Sequence, residues 1–453
     1  MHSAPSPPSR RSFLKSAALS SAVISAGTSL LGSCATTRYA RGKLRHASIG
    51  VGGMGGTDLR EISGHPDVEI IALCDVDKGR LKEAGALHPK ARLYQDWREL
   101  LNAEHANLDS VNVTTPDHMH APIAFSAINH GLHVYCQKPL THTVVEARRL
   151  REVAEQSGVV TQMGIQNHSN PSYARAQALF ARKHVGPIRE AHVWTDRPAG
   201  WWPQGVGRPD GTDPVPEHLD WDGWLGVAPE RPYKEGAYHA FVWRGRLDFG
   251  TGAQGDMACH LMDPAPWFME LGDPLNVESF GPPPTNDTFP LWSRVRYEFG
   301  PTRWTSDDGV VVTWHDGKRK PDALLAELGV GDSAYHNACL FVGEEGALMA
   351  SPYEIPRLLP ADQFVDIPIP EAKGVNHWHQ WVNACFGRGK PSAPFSYSGR
   401  LTEIALLGNV ALRFPNQKLD FDAKALSFPS RPDADRFLHK PYRSGWEIPG
   451  LES

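Results

Sequence analysis

Glycines in the first third of the chain have the spacing of a turn that binds a dinucleotide. A G-x-G-x-x-G sequence ends at Gly55, and Asp75 follows it by 20 residues. Glycines let the backbone approach a pyrophosphate, which then sits on the N-terminus of the following helix. A carboxylate at Asp75 would accept hydrogen bonds from ribose hydroxyls and repel a 2′-phosphate, so NAD is favoured over NADP. The residues assigned to this turn are Gly50, Gly52, Gly53, Met54 and Gly55.

A second group of polar residues has the spacing of one helix face. Asp256, His260 and Asp263 lie at i, i+4 and i+7. Histidine titrates near neutral pH, so His260 is a candidate acceptor for the proton of an alcohol, and Asp256 could orient it or bind a second hydroxyl. The spacing leaves two other roles open: a helix N-cap for Asp256 and a core position for His260. No further ligand set accompanies these residues, and we predict no metal site.

Alternating strands and helices surround the glycine turn. Strands are predicted at 44–51, 68–74, 108–114, 133–136 and 159–164, with helices at 120–129 and 146–157. Such alternation is typical of an α/β domain with a doubly wound parallel sheet and right-handed crossovers. We expect this domain to span residues 42–165.

Several polar residues follow the predicted strands directly. Ligands bind parallel sheets beyond the carboxyl ends of the strands, so residues at these ends share one cleft. We therefore group the following as cleft residues: Asp75, Thr115, Pro116, Gln137, Lys138 and Gln166.

Four motifs in order resemble the Gfo/Idh/MocA family (glucose–fructose oxidoreductase, inositol dehydrogenase and MocA). They are the glycine turn and the segments Thr115–His120, Gly131–Leu140 and Gly255–Asp263. The resemblance covers about residues 42–430. It implies an N-terminal Rossmann domain followed by a C-terminal α+β domain, 166–430, with a mostly antiparallel open sheet. Residues 431–453 would then form a C-terminal arm.

The resemblance also implies roles for individual residues. Lys138 would touch the reacting hydroxyl, with Asp256 and His260 beside the substrate as the other catalytic residues. His120 would belong to the cofactor site. One position departs from the family, which usually has Glu where this chain has Gln137. Lys138 therefore lacks a neighbouring negative charge unless another acid takes that place.

A long segment rich in tryptophan separates the predicted strand 188–194 from the Gly255–Asp263 motif. Six of the 14 tryptophans lie between Trp194 and Trp243. Aromatic faces beside polar groups suit sugar rings, so we assign Trp202, Tyr238 and Arg244 to substrate binding. The alternative is that these tryptophans only attach a long loop to the core or to a neighbouring subunit.

The N-terminal segment is predicted to be an export signal. Residues 1–45 hold seven Lys or Arg and no Asp or Glu. Arg10 and Arg11 precede a mildly apolar stretch and resemble a twin-arginine signal, 1–33. The sequence ending at Cys34 resembles a lipoprotein cleavage box, which would tether the protein to a membrane by a lipid. A basic tail and a chance cysteine are the alternatives. We expect a periplasmic or cell-envelope location.

Composition excludes several other classes. The net charge of −5 does not suggest a nucleic-acid partner, and six cysteines in 453 residues do not form a disulfide scaffold. We expect an exported NAD-dependent oxidoreductase that acts with tightly bound NAD on a hydroxyl of a sugar, polyol or glycoside, as a homodimer or homotetramer. The alternatives are a redox-neutral glycosidase that works by oxidation and elimination, and a non-catalytic sugar-binding lipoprotein.

Overall fold

The computed structural model describes residues 42–451. The predicted signal, 1–33, and Cys34 lie outside the described residues. From Arg45 onwards the chain forms one compact unit. No helix in the described range is both long and apolar enough to cross a membrane.

Six parallel strands form the first sheet, in the order β3-β2-β1-β4-β5-β6. This order changes direction between β1 and β4, and ligands bind at that point in doubly wound sheets. The structure confirms the predicted fold class. The strands are β1 (Leu44–Ile49), β2 (Val68–Cys74), β3 (Arg92–Tyr94), β4 (Ser110–Val113), β5 (His133–Cys136) and β6 (Thr161–Met163).

Helices cover this sheet, and their local sequences explain where they begin. Helix α5 begins after Thr143, which forms a capping box with Glu146. In the strand before it, β5, Val134, Tyr135 and Cys136 are all buried because both faces of the sheet are covered. The helices are α1 (Met54–Ser63), α2 (Lys78–Leu87), α3 (Trp97–Glu104), α4 (His120–Asn129) and α5 (Val144–Ser157).

Eight strands form the second sheet, in the order β13-β12-β11-β7-β10-β9-β8-β14. Its neighbours pair antiparallel except for β7 and β10, which run parallel. The mostly antiparallel sheet is therefore confirmed. The strands are β7 (Ile188–Trp194), β8 (Asn276–Phe280), β9 (Arg294–Phe299), β10 (Val310–His315), β11 (Ala338–Gly343), β12 (Ala347–Ala350), β13 (Arg357–Leu359) and β14 (Lys418–Asp420).

One long buried helix joins the two halves of the molecule. Helix α12 carries apolar residues on both sides, some packed with the first sheet and others with the second. The sequence predicts a helix at 399–412, and the structure extends it by about one turn at its start. The helices after β6 are α6 (Pro171–Phe180), α7 (Trp221–Leu225), α8 (Gly252–Leu261), α9 (Pro264–Met269), α10 (Asp322–Glu327), α11 (His377–Cys385) and α12 (Phe395–Ala411).

The C-terminal arm returns to the first domain. Tyr442, Trp446 and Leu451 are buried in the apolar cluster that includes the first sheet. The Tyr442 hydroxyl also donates to the Glu146 carboxylate at 2.7 Å. The arm and α12 both pack against the first domain, so packing does not separate the domains at 165 and 430. These two boundaries stay predictions.

Candidate active site

A cleft of about 640 Å³ opens at the carboxyl edge of the first sheet. Its walls come from the ends of β1, β2, β4 and β5, from α8 and from the tryptophan-rich segment. This volume lies in the range of small-molecule sites. The parallel sheet thus brings the grouped strand-end residues to one edge, as the topology requires. Those lining the cleft are Asp75, Thr115, Pro116, Gln137, Lys138 and Gln166.

The glycine turn between β1 and α1 fits the backbone path of a dinucleotide site. Gly50 has φ +84°, and a Cβ there would lie 2.3 Å from the Thr114 carbonyl oxygen. A Cβ at Gly55 would lie 2.2 Å from the Gly50 carbonyl oxygen. Both positions therefore exclude any larger residue, and the turn leaves the start of α1 open to the cleft. All five residues assigned to the turn line the cleft.

Asp75 is held at the end of β2 by backbone hydrogen bonds. One carboxylate oxygen accepts from the Val51 amide at 2.9 Å and the other from the Asp77 amide at 3.0 Å. Burial raises the pKa of Asp75, against the effect of these two bonds. The carboxylate is thereby fixed beside the glycine turn, where it can accept hydrogen bonds from a ribose.

Gln137, at the end of β5, bonds to an acid that the sequence did not single out. Its side-chain amide nitrogen lies 3.1 Å from a carboxylate oxygen of Asp58, a wholly buried residue of α1. Thr114 and the Trp378 indole also donate to Asp58, both at 2.8 Å. Burial raises the pKa of Asp58 to about 6, against the effect of these donors. The Gln137 side chain therefore donates to a buried carboxylate on α1.

Three cations surround the carboxylate of Asp256, which lies in the middle of α8. The Lys138 ammonium lies 2.7 Å from one oxygen, and Arg197 donates to the other at 2.9 Å. Arg244 lies 3.4 Å from the carboxylate. Burial alone would raise the pKa of Asp256, but these cations together hold it well below the ordinary value. Asp256 is therefore an ionised acid beside Lys138, and it occupies the role that Gln137 leaves open.

His260 follows one turn later on α8 and lines the same cleft as Lys138. Its Nδ1 atom is buried and has no hydrogen-bond partner among residues 42–451. Burial lowers the pKa of His260 well below its ordinary value, and the nearby Lys138 lowers it further. The imidazole is therefore neutral at pH 7. The Asp256 carboxylate faces the three cations, and among residues 42–451 no hydrogen bond joins it to His260, so its role in orienting the imidazole stays a prediction.

Asp263 does not share the helix face of Asp256 and His260. Helix α8 ends at Leu261, so the i+7 position falls beyond it. The Asp263 carboxylate instead accepts from His168 at 2.8 Å and from Tyr397 at 2.5 Å. Within residues 42–451, no group of three His, Cys, Asp or Glu side chains is placed to hold a metal ion.

Asp117 lies within the Thr115–His120 motif and lines the cleft, although no role is predicted for it from the sequence. It is buried, and its carboxylate accepts from the Thr251 hydroxyl at 2.7 Å. Burial raises the pKa of Asp117 to about 7, and the Asp256 charge contributes to this increase. Asp117 follows Thr115 by two residues in the loop after β4, and this position predicts that it lies in the cleft.

His120 lines the cleft, and both of its ring nitrogens lie near backbone carbonyl oxygens, one of which can accept the single N–H of the neutral ring. Its two ring nitrogens lie 2.8 Å from the Thr115 carbonyl oxygen and 2.7 Å from that of Pro139. Burial lowers the pKa of His120 to about 4. The side chain therefore ties the loop after β4 to the loop after β5, and a direct role at the cofactor stays a prediction.

The tryptophan-rich segment contributes different residues from those expected. Trp202 is buried and donates to Gln204 at 2.8 Å, and Tyr238 packs against Phe249, so neither lines the cleft. Arg244 does line it. The aromatic residues that the segment brings to the cleft are Trp201, Trp224, Phe241 and Trp243.

Comparison with known families identifies two matching regions. Residues 44–165 match the Gfo/Idh/MocA oxidoreductase family model described as an NAD-binding Rossmann fold. Residues 200–448 match the model described as the C-terminal alpha/beta domain of the same family. The second match alone covers more than half of the chain.

Curated relatives align over shorter stretches. Inositol 2-dehydrogenase of Salmonella typhimurium is 27% identical over 152 residues, 33% of this chain and 45% of that protein. A glycosyl hydrolase family 109 protein of Stenotrophomonas maltophilia is 39% identical over 140 residues, 28% of this chain and 29% of that protein. The chain thus spans less than half of the length of these relatives.

Solved structures share the fold over most of the chain. The WlbA dehydrogenase of Chromobacterium violaceum, solved with NADH and UDP-GlcNAcA, superposes with a TM-score of 0.61 at 17% identity. The alignment covers 85% of this chain and 97% of that one. At this identity the likeness shows a common fold.

Proposed function

This chain belongs to the Gfo/Idh/MocA oxidoreductase family, and on that premise we propose that it is an NAD-dependent oxidoreductase acting on a hydroxyl group of a carbohydrate. The observation that carries the proposal is that Lys138, Asp256 and His260 line the same cleft as the glycine turn. The relatives named as sugar and polyol dehydrogenases support a carbohydrate substrate. The glycine turn and Asp75 would hold NAD, whose nicotinamide ring would supply the hydride acceptor.

Lys138 has the position and charge to act on the substrate oxygen. Two of its hydrogen bonds go to Asp256, one to the carboxylate at 2.7 Å and one to the backbone carbonyl at 2.9 Å. An ammonium can donate three hydrogen bonds, so one remains for a hydroxyl in the cleft. We infer that Lys138 binds this hydroxyl and stabilises the negative charge that develops as its proton leaves.

His260 is the proposed proton acceptor. The imidazole is neutral at pH 7, so one ring nitrogen is free of a proton and can take the hydroxyl proton. The positive charge of Lys138 opposes protonation of His260. The negative charge of a developing alkoxide would offset the positive charge of Lys138 and make protonation of His260 more favourable. Transfer of the hydroxyl proton to His260 is therefore coupled to hydride transfer. Asp256 is a positioning residue in this scheme because it acts by holding Lys138.

We also propose that the protein is exported by the twin-arginine route, with a lipid on Cys34, and assembles as a homo-oligomer. The support is the basic N-terminal sequence and the cleavage box. Twin-arginine export carries folded proteins, so NAD could be loaded before export. An exported enzyme has no ready pool of NAD. The protein must therefore hold its NAD tightly and regenerate it without releasing it.

The relative named as a glycosyl hydrolase favours a second candidate function. Oxidation of a ring hydroxyl to a ketone acidifies the neighbouring C–H bond. Loss of that proton can expel a glycosidic oxygen, and return of the hydride restores the sugar. The first step of this redox-neutral cycle is the same oxidation, so it would use the same residues.

One purified sample tests both candidates. Protein is denatured, and the supernatant is assayed for released NAD. Native protein is then mixed with sugars, polyols and aryl glycosides while absorbance at 340 nm is followed. We expect NAD in the supernatant and a single-turnover rise in absorbance that Lys138→Met abolishes. Glycoside cleavage in deuterated water with deuterium uptake would instead establish the redox-neutral cycle. Ligand binding without either reaction, unchanged in Lys138→Met, would contradict both and leave a sugar-binding protein.

A further inference from the structure

We propose that the sugar oxidised in this cleft carries a carboxylate group, as a uronic or aldonic acid does. This inference rests on the proposed function and specifies its substrate class. Its basis is the arrangement of charge around Asp256. The Lys138 ammonium and the Arg197 and Arg244 guanidinium groups all converge on that single carboxylate.

The three cations exceed the negative charge that faces them. Their side chains are only 15–20% exposed, so water screens them weakly. Asp256 is the one acid within ion-pair distance of any of them among residues 42–451. Asp117 is the other cleft acid that interacts with Lys138 and Arg244, and burial raises its pKa to about 7, so it supplies less than a full negative charge at neutral pH. An excess of sheltered positive charge is costly, and an anionic ligand would offset it.

The arginines are held by aromatic rings and keep donors available. The Arg197 guanidinium lies 3.9 Å from the Trp201 ring centroid, and that of Arg244 lies 4.3 Å from the Phe241 ring centroid. Arg197 uses Nη1 for Asp256, and Arg244 uses Nη1 for the Phe241 carbonyl. The Nη2 group of each has no acceptor in the part of the chain that the structure describes. A planar guanidinium with free donors suits a carboxylate.

The cofactor does not account for this charge. The glycine turn has a cation of its own, since the Arg80 side chain lies against Gly52. The rings that hold Arg197 and Arg244 form an aromatic rim, Trp201, Phe241 and Trp243, which suits the C–H face of a sugar. With Asp256 ionised and Asp117 partly ionised, the cations exceed the acids by between one and two charges, which a single carboxylate offsets without placing a dianion beside Asp256. A carboxylated sugar therefore matches both the rim and the charge.

The test compares matched ligands on the NAD-loaded protein. The pairs are glucose with glucuronate and galactose with galacturonate, with glucose 6-phosphate as a third anion. Binding is measured by calorimetry, and hydride transfer by absorbance at 340 nm. We expect the carboxylated member of at least one pair to bind about tenfold more tightly than the neutral one. Equal binding within both pairs, or tighter binding of the phosphate, would overturn the proposal.

Substitutions of the two arginines test whether they cause the preference for a carboxylated sugar. Arg197→Gln and Arg244→Gln should each raise Kd for the carboxylated sugar about tenfold and change Kd for its neutral partner much less. Arg319→Gln is the matched control, because Arg319 also stacks on a tryptophan, 3.6 Å from the Trp292 ring centroid, but lies outside the cleft. Thermal melting and NAD content establish that each variant is folded. Loss of affinity equal for both members of a pair would contradict the proposal.

The two proposals can fail separately. If carboxylated sugars bind with the predicted dependence on the arginines but no hydride moves, the oxidoreductase function fails and the ligand class stands. If neutral sugars are oxidised as well as acidic ones, the function stands and the carboxylate proposal fails.

Discussion

The amide nitrogen of Gln137 lies 3.1 Å from the carboxylate of Asp58, although the two residues are 79 positions apart in the chain. The family usually has Glu at position 137. The structure gives a physical reason for the exchange, because two carboxylates at this distance in a buried site would repel each other. Asp58 and Gln137 are therefore a matched pair, and each explains the identity of the other.

Gln137→Glu should destabilise the protein. The new carboxylate would face Asp58, and we expect the free energy of unfolding at pH 7.5 to fall by about 2 kcal/mol. Because burial raises the pKa of Asp58 to about 6, part of the loss should be recovered at pH 5, where Asp58 is protonated. Chemical denaturation at the two pH values measures both effects.

The control for that change is the double variant Asp58→Asn with Gln137→Glu. It restores one carboxylate and one amide in exchanged positions, and it should recover most of the stability of the original pair. If the loss in free energy of unfolding of the double variant equals the sum of the losses of the two single variants, the two residues are not a matched pair.

His260→Asn should remove the proton acceptor without removing the cleft. We expect kcat to fall by about 10²- to 10⁴-fold at pH 7.5, with NAD content unchanged. Since burial holds the pKa of His260 well below 6.5, kcat of the original protein should stay constant from pH 8 to pH 6.5 and fall only in more acidic solution. A fall in kcat centred near pH 6.5 would contradict this environment for the imidazole. Lys138→Met is the companion variant, and it should lose activity at every pH.

Asp117 should make the binding of an acidic sugar depend on pH. Burial raises its pKa to about 7, so its negative charge grows as the pH rises through 7. KM for a carboxylated sugar should therefore increase between pH 6 and pH 8, while KM for a neutral sugar should not. Asp117→Asn should abolish the increase, and an unchanged profile in that variant would assign the effect elsewhere. The groups that act on Asp117 are Thr251, Asp256, Arg244, Lys138 and Lys440.

Trp201 and Trp202 form a matched pair of substitutions in adjacent residues. Trp201 is 47% exposed at the cleft and stacks with Arg197, whereas Trp202 is buried. Trp201→Ala should raise KM several-fold and leave the melting temperature nearly unchanged. Trp202→Ala should lower the free energy of unfolding by about 3 kcal/mol. Steady-state kinetics and thermal melting of the two variants separate the roles, and equal effects on stability would contradict the assignment.

The sequence by itself determined the fold class and the placement of the strand-end residues. A glycine turn after a strand, an acid 20 residues later and alternating strands and helices leave few topologies. The carboxyl ends of parallel strands meet at one edge, so Asp75, Thr115 and Lys138 had to lie there. The helical spacing of Asp256 and His260 likewise brought them to the cleft together. The export signal predicted for residues 1–33 stays a prediction.

Only the tertiary structure decided which other side chains meet these residues. Arg197 and Trp378 come from distant segments, and no periodicity links them to Asp256 or Asp58. Trp201 and Trp202 show the physical reason most directly. In a helix or strand the sequence period shows which side chains share a face. In an irregular segment the direction of each side chain depends on the local backbone conformation. Tertiary packing therefore decided that Trp201 faces the cleft and Trp202 faces the core.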